Sequence, residues 1–303
     1  MQSGIRMRST VVAGLVATAS VVVVALAAVS SGSTRATHQV FLYWANDGNG
    51  STTIGRAKLD GTGVKPSFVK NGGARPCFVA VDRKYIYWTE EDSAAIGRAN
   101  LDGTHVNPAF ITKTGGAYLC GVAVDAAHIY WADGVDGTAI GRANLNGTGV
   151  NQHFITAVGP CGVAVDGKHI YWGHCSTQSV PLTTIGRANL DGSGVNQRFV
   201  TGANNPLGVA VDAKHLYWTN FGVYQGKQGT TIGRSNLNGT GVNQHFIRGA
   251  IGPCGVAVHG GHIYWANSNS GLGTTVGRAN LDGTSANEHF ITGAKGPCGV
   301  AIG

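Results

Sequence analysis

The chain has 303 residues, 48 of them Gly, with 43% hydrophobic and only 12% charged residues. That apolar content excludes a disordered chain, and many Gly beside Val, Ile, Thr, Tyr and Trp point to short strands joined by tight turns. The formal net charge of +7 overstates any basic surface, because Arg6, Arg8 and Arg35 lie in an N-terminal segment and six more arginines sit at one fixed repeat position; no basic stripe remains, so nucleic acid is not an expected partner.

In chain order, Arg6 and Arg8 precede an apolar run from Val11 to Val29, with "ALA" at Ala25 to Ala27. This is the pattern of a signal peptide with a small-residue cleavage site. The alternative is an uncleaved anchor, since roughly 17–25 apolar residues span a bilayer. Residues 1–35 are therefore read as signal peptide or membrane anchor, and residues 36–303 as a secreted or extracytoplasmic body. All six cysteines fall in that body. An even number in an oxidising compartment predicts disulfides.

The body is a repeat. Trp recurs at positions 44, 88, 131, 172, 218 and 265. Each sits in one unit with four predicted strands: A "GVAVD", B "HIYWA", C "TIGRANL" and D "QHFIT". The C–D turn is Asp-Gly or Asn-Gly in every unit, from Asp60-Gly61 to Asp282-Gly283, the dipeptides that favour hairpin turns. Asn146 and Asn238 belong to such turns, and with Asn49 they match the glycosylation acceptor pattern; in a chain of bacterial character they read as turn chemistry. No helix-length periodicity appears. Four antiparallel strands repeated six times predict an all-β, six-bladed propeller. The first unit lacks a strand A, and the chain ends on a spare one, "CGVAIG" at Cys298 to Gly303. That strand should complete blade one and close the ring.

"YWTE" at Tyr87, "YWAD" at Tyr130 and "YWTN" at Tyr217, each followed by an "IGRANLDG"-type strand, resemble the YWTD propellers of low-density-lipoprotein-receptor-like proteins. The resemblance covers residues 40–303. It implies six blades and a non-catalytic, protein-binding role. The fourth motif residue is Asn46, Glu90, Asp133, His174, Asn220 and Asn267, so one blade alone keeps Asp, and no particular receptor's ligand carries over.

Residues copied once per blade are read as scaffold. Arg56, Arg98, Arg142, Arg187, Arg234 and Arg278 occupy one position of strand C, where an Arg can stack on Trp or Tyr. The alternating Gly and Ala leave room for an aromatic ring of the adjacent blade. Histidines at the A–B turns and at strand D are too widely spaced round the ring to share one metal.

The working face is located by comparing units. The A–B and C–D turns are constant in length, whereas Trp and the apolar residue of strand C stand 8 to 14 positions apart, and the strand-D Phe and the position before strand A stand 7 to 10 positions apart. Variable loops on a rigid scaffold carry binding, so the D–A/B–C face at the channel mouth is the expected site. Its D–A loops supply Lys70, Arg75, Lys113, Arg248 and Lys295; its B–C loops supply Asp47, Glu90, Glu91, Asp92, Asp133 and Asp136. A basic inner rim with an acidic arc outside suits a polar or anionic group near the axis. Tyr118, Phe221 and Tyr224 would add contact area, and His174 is the one non-repeated histidine of that face.

Five cysteines, Cys77, Cys120, Cys161, Cys254 and Cys298, precede strand A; blade five has Leu207 there. They should ring the axis. Cys175 follows strand B of blade four, and pairing of A with B should set Cys161 opposite His174. If only neighbours pair, the solution is Cys77–Cys120, Cys161–Cys175 and Cys254–Cys298; the rival reading makes them small apolar fillers of a narrow channel. No cofactor is expected. Calcium would need Asp133 with Asp136, or Asp47 with Asn46 and Asn49, without the spacing of an EF-hand. Zinc would need Cys161, His174, Cys175 and another ring cysteine, without CxxC spacing.

The body is thus expected to be a monomeric exported binding propeller for a protein or glycan of the cell envelope or exterior, with no assigned catalytic residue. It would meet a membrane only through the N-terminal segment. The alternative is a lyase- or lactonase-type propeller enzyme with a metal-assisted site at the same mouth.

Overall fold

The computed structural model describes residues 39–48, 50–115, 118–134, 137–176, 182–222 and 228–303. The N-terminal segment and Asn49, Asp136 and Tyr224 lie outside them. The described residues form twenty-four strands in six four-stranded antiparallel sheets, with no helix. Blade two is typical: A Pro76–Val81, B Tyr85–Glu90, C Ala95–Asn100 and D Asn107–Ile111. Each strand A touches the strand A of the blades on either side, from blade to blade round the axis.

The C-terminal strand Pro297–Ile302 pairs with Phe41–Asn46, setting Leu42 against Ile302 and Tyr43 against Ala301. The ring closes as the sequence predicts, and the two open edges of a linear array are removed.

Each conserved letter of the unit has a physical job. The strand-B Trp is fully buried and lies across its own strand C; Trp172 pairs with Gly186, and a Cβ at Gly186 would sit 2.1 Å from the indole. The small residue therefore makes room for an aromatic of the same blade, not of the adjacent one. The strand-C Arg stacks on the strand-D Phe, with Arg98 3.8 Å from the Phe110 ring centre and Arg142 3.9 Å from Phe154. The strand-D Phe is a partner in all six blades, and Arg98 also stacks on Tyr85 at 4.3 Å. That same Phe packs under the C–D turn of the next blade, as Phe154 does beneath Gly192. The Asp ending strand A accepts two backbone amides of its turn and the Tyr hydroxyl of strand B, at 3.0 Å for Tyr87 to Asp82. The turn histidines lean on the same Asp, 3.6 to 3.8 Å away at His128, His169 and His215. They are scaffold. In the C–D turns Asn146 and Asn238 accept a backbone amide and a Thr hydroxyl, as Asp60 and Asp102 do.

Strand A is bulged. Pro160 lies opposite His174 and Val163 opposite Trp172, so Cys161 and Gly162 fall in the irregularity between those pairs. Cys161 does not face His174; Pro160 does. The same bulge recurs in blades two, five and six. An added residue bends the strand and re-aims its side chains. Beside it the inner strands nearly touch: a Cβ at Gly208 would lie 2.5 Å from the Cys254 carbonyl oxygen. Thr219 locks this contact, accepting from Gly208 N at 2.8 Å and donating to Cys254 O at 2.7 Å.

Candidate functional site

The close approach of the inner strands crowds the bulge cysteines round the axis on the D–A/B–C face. Cys161–Cys175 and Cys254–Cys298 are disulfides, with Cα separations of 5.9 and 5.0 Å. Both pairings agree with the neighbour rule. The third does not form: Cys77 and Cys120 are free thiols. The Cys77 sulfur stands 3.5 Å from the sulfur of Cys298. Cys120 precedes the short strand Val122–Val124 and lies outside the ladder that aligns the other cysteines.

Above these sulfurs is a cavity of about 250 Å³, floored by Cys77, Cys120, Cys254, Cys298 and Leu207 and walled by Asp47, Arg75, Glu91, Phe221 and Ser270. Arg75, the innermost of the expected basic residues, is held at φ 57° and pairs with Asp47 at 3.2 Å, with Asp92 at 3.3 Å and with Glu91. Three carboxylates from the B–C loops of blades one and two converge on one guanidinium. Lys113, Arg248 and Lys295 are exposed, and neither they nor Lys70 line the cavity. The rim is therefore the reverse of the expected one: acids stand at the axis and the free cations outside. Burial, with Glu91 second, pushes the Asp47 carboxyl up to about 7 despite Arg75 beside it. Burial raises Glu91 as well.

His174 is not on the exposed surface. It is 3% exposed, accepts the indole N–H of Trp172 at Nε2 (2.6 Å), and contacts Thr184 through Nδ1 at 2.5 Å. Burial pushes it down to about 4, so it stays neutral. With Cys161 bonded to Cys175 and both ring nitrogens engaged, this trio is not free to hold zinc. The fourth motif position is a latch under the loops. Asn46 donates to Thr53 Oγ1 and to the Pro66 carbonyl and accepts the amide of Lys295. Asn220 and Asn267 repeat the bonds. Those bonds also occupy Asn46 in the calcium reading. Asp133 turns one oxygen to the amides of Thr138 and Ala139. Glu90 accepts from Trp88 through Oε1, while its buried Oε2 has no hydrogen-bond partner among the described residues; burial pushes this carboxyl up to about 7, against the hydrogen bonds from Trp88 and the Ala74 backbone.

Of the aromatics, Phe221 lines the cavity and Tyr118 stands 57% exposed beyond it. Two further side chains on this face are more exposed than Tyr118 and were not singled out by sequence reasoning: Leu272 at 77% and Val158 at 59%. The signal existed in the sequence, since both sit in variable loops between strands. A larger groove of about 730 Å³ lies on the opposite face between the A–B turns of blades two and three. It is built from repeat residues such as Asp82, Tyr85 and Asp125, and a counterpart recurs between blades four and five. It is a by-product of blade stacking.

No family model matches the chain, and no curated protein does. Among solved structures, a chain in the crystal structure of a nidogen/laminin complex matches over 87% of this chain and 98% of its own length, with a TM-score of 0.66 at 21% identity. At that identity the likeness is one of fold. The fold is that of a six-bladed β-propeller, closed by its C-terminal strand.

Proposed function

We propose that the protein is an extracytoplasmic binding propeller that engages a protein ligand through its D–A/B–C face. The observation that carries this reading is the distribution of exposed apolar side chains. Tyr118, Val158, Ile251 and Leu272 stand on the variable loops of that face, against Val195 and Val242 alone, among the described residues, on the C–D turns of the other. Large apolar groups left in water on a monomer mark interaction surfaces, and the same face carries an acid-walled cavity that would take a basic side chain of the partner. The structural neighbour named for a nidogen/laminin complex favours a protein over a glycan. Two disulfides suit an oxidising compartment.

Site-specific photo-crosslinking tests the reading. A crosslinker at Leu272 or Tyr118 should trap one envelope or exterior protein, and Leu272→Asp should abolish its capture by a crosslinker at Tyr118. The control is Val195, an exposed apolar residue of a C–D turn. Equal capture from Val195 with none from Leu272 and Tyr118 would place the ligand elsewhere and end the proposal.

A further inference from the structure

We propose that Cys298 is shared by two alternative disulfides: its bond to Cys254 exchanges with a bond to Cys77, so that the strand closing the ring is stapled to blade six in one form and to blade two in the other. The arrangement is that of a thiol poised on a disulfide. Cys77 is unbonded, and its sulfur stands 3.5 Å from the sulfur of Cys298, which is bonded to Cys254. The backbone brings the closing strand Pro297–Ile302 against the inner strands on both sides. A Cβ at Gly255, next to Cys254, would lie 2.6 Å from the Cys298 carbonyl oxygen, and one at Gly299, next to Cys298, would lie 2.9 Å from the Cys77 carbonyl oxygen. All three cysteines floor the same cavity, which gives the thiol a route for its proton.

The exchange is balanced without an outside oxidant. Cys77 gives its proton to solvent and its thiolate attacks the Cys298 sulfur. The Cys77–Cys298 bond forms, the Cys254–Cys298 bond breaks, and the departing Cys254 thiolate takes up a proton. One disulfide and one thiol stand on each side. The bonded residues are 44 apart in the first form and 221 apart in the second, so both forms close a loop of the chain. The surroundings set the rate. Hydrogen bonding with Cys120, burial, and the charges of Asp47 and Glu91 all hold the Cys77 thiol protonated. Arg75, the cation lining this cavity, is engaged by Asp47, Glu91 and Asp92. The thiolate is the attacking species, so exchange is slow near neutral pH and speeds as pH rises. It does not depend on the ligand proposed above.

The full chain, purified without reductant, is held with an alkylating agent, quenched in acid and mapped as non-reduced peptides. Two products are expected: Cys254–Cys298 with alkylated Cys77, and Cys77–Cys298 with alkylated Cys254. The initial rate of Cys254 alkylation should rise about tenfold from pH 7 to pH 8, in step with the thiolate fraction. Cys77→Ser should abolish alkylation of Cys254 in the native chain, and Cys120→Ala should not. Cys254→Ser, produced in an oxidising compartment, should fold with a Cys77–Cys298 bond and a single free thiol at Cys120. A wild-type chain in which only one of the two linkages is found even at pH 9 overturns the proposal. So does a Cys77→Ser chain whose Cys254 is alkylated as fast as in wild type, or a Cys254→Ser chain that leaves Cys298 free.

Discussion

Glu90 shows how one repeat position is filled at differing cost. Asn46, Asn220 and Asn267 meet their partners with a neutral amide. Glu90 occupies the same place with a carboxyl that burial pushes up to about 7, and one of its oxygens has no hydrogen-bond partner among the described residues. Between the unfolded value near 4.5 and about 7 the folded state alone keeps the proton. Stability contributed by Glu90 therefore falls as pH rises through that window, and is level above it. Glu90→Gln retains an acceptor for Trp88 without the titration. It should be more stable than wild type at pH 8, by up to about 3 kcal/mol at roughly 1.4 kcal/mol per unit, with the gain fading towards pH 4.5. His174 acts in the opposite sense, since its depressed value of about 4 removes stability as pH falls from about 6.5. The wild-type profile mixes the two, and the difference between variant and wild type in urea unfolding at pH 5 and pH 8 isolates Glu90. A gain equal at both values would show that the side-chain swap, not its proton, is responsible.

At the scale of the strand, the unit is rigid wherever an aromatic meets a missing side chain. Gly186→Ala would drive a methyl group into the Trp172 ring, which is fully buried. Overpacking of this kind costs about 1–3 kcal/mol. Gly167→Ala, in the A–B turn of the same blade, meets nothing within 4 Å and should be neutral or slightly stabilising. Thermal melting of the two variants should separate them by several degrees; equal melting points would mean that Trp172 can move aside. The contrast also shows what could be read in advance. Strand count, turn chemistry and the scaffold character of each copied residue follow from period, because a residue repeated in six equivalent places meets six equivalent environments; the partners of the strand-C Arg and Gly do not follow from it. The bulge at Cys161 was not readable, because a ladder irregularity leaves no mark in a pattern of alternation. It moved Pro160 opposite His174. The charge order of the rim was hidden for a related reason. Loop length gave no sign of the charge order, because only the fold brings Asp47 of blade one to Arg75 of blade two.

The whole molecule depends on joining its two ends. Pro297–Ile302 supplies the inner strand of a blade whose other three strands come from residues 41–69, and it carries Cys298, the partner of Cys254. A chain ending at Gly296 loses both the strand and the staple. The disulfide encloses 44 residues, so chain entropy puts its contribution at about 4 kcal/mol. Cys298→Ser in the full chain removes that share alone and should leave a folded ring with a lower melting point. Truncation does more. It uncovers the edge of Phe41–Asn46, whose residues Leu42 to Asn46 are buried in the closed ring, and an uncovered apolar edge pairs with other chains. The truncated chain should elute as aggregate at concentrations where Cys298→Ser elutes as a monomer. If both elute as monomers and melt together, the strand adds nothing beyond its cysteine, and the ring is held by its blade-to-blade contacts alone.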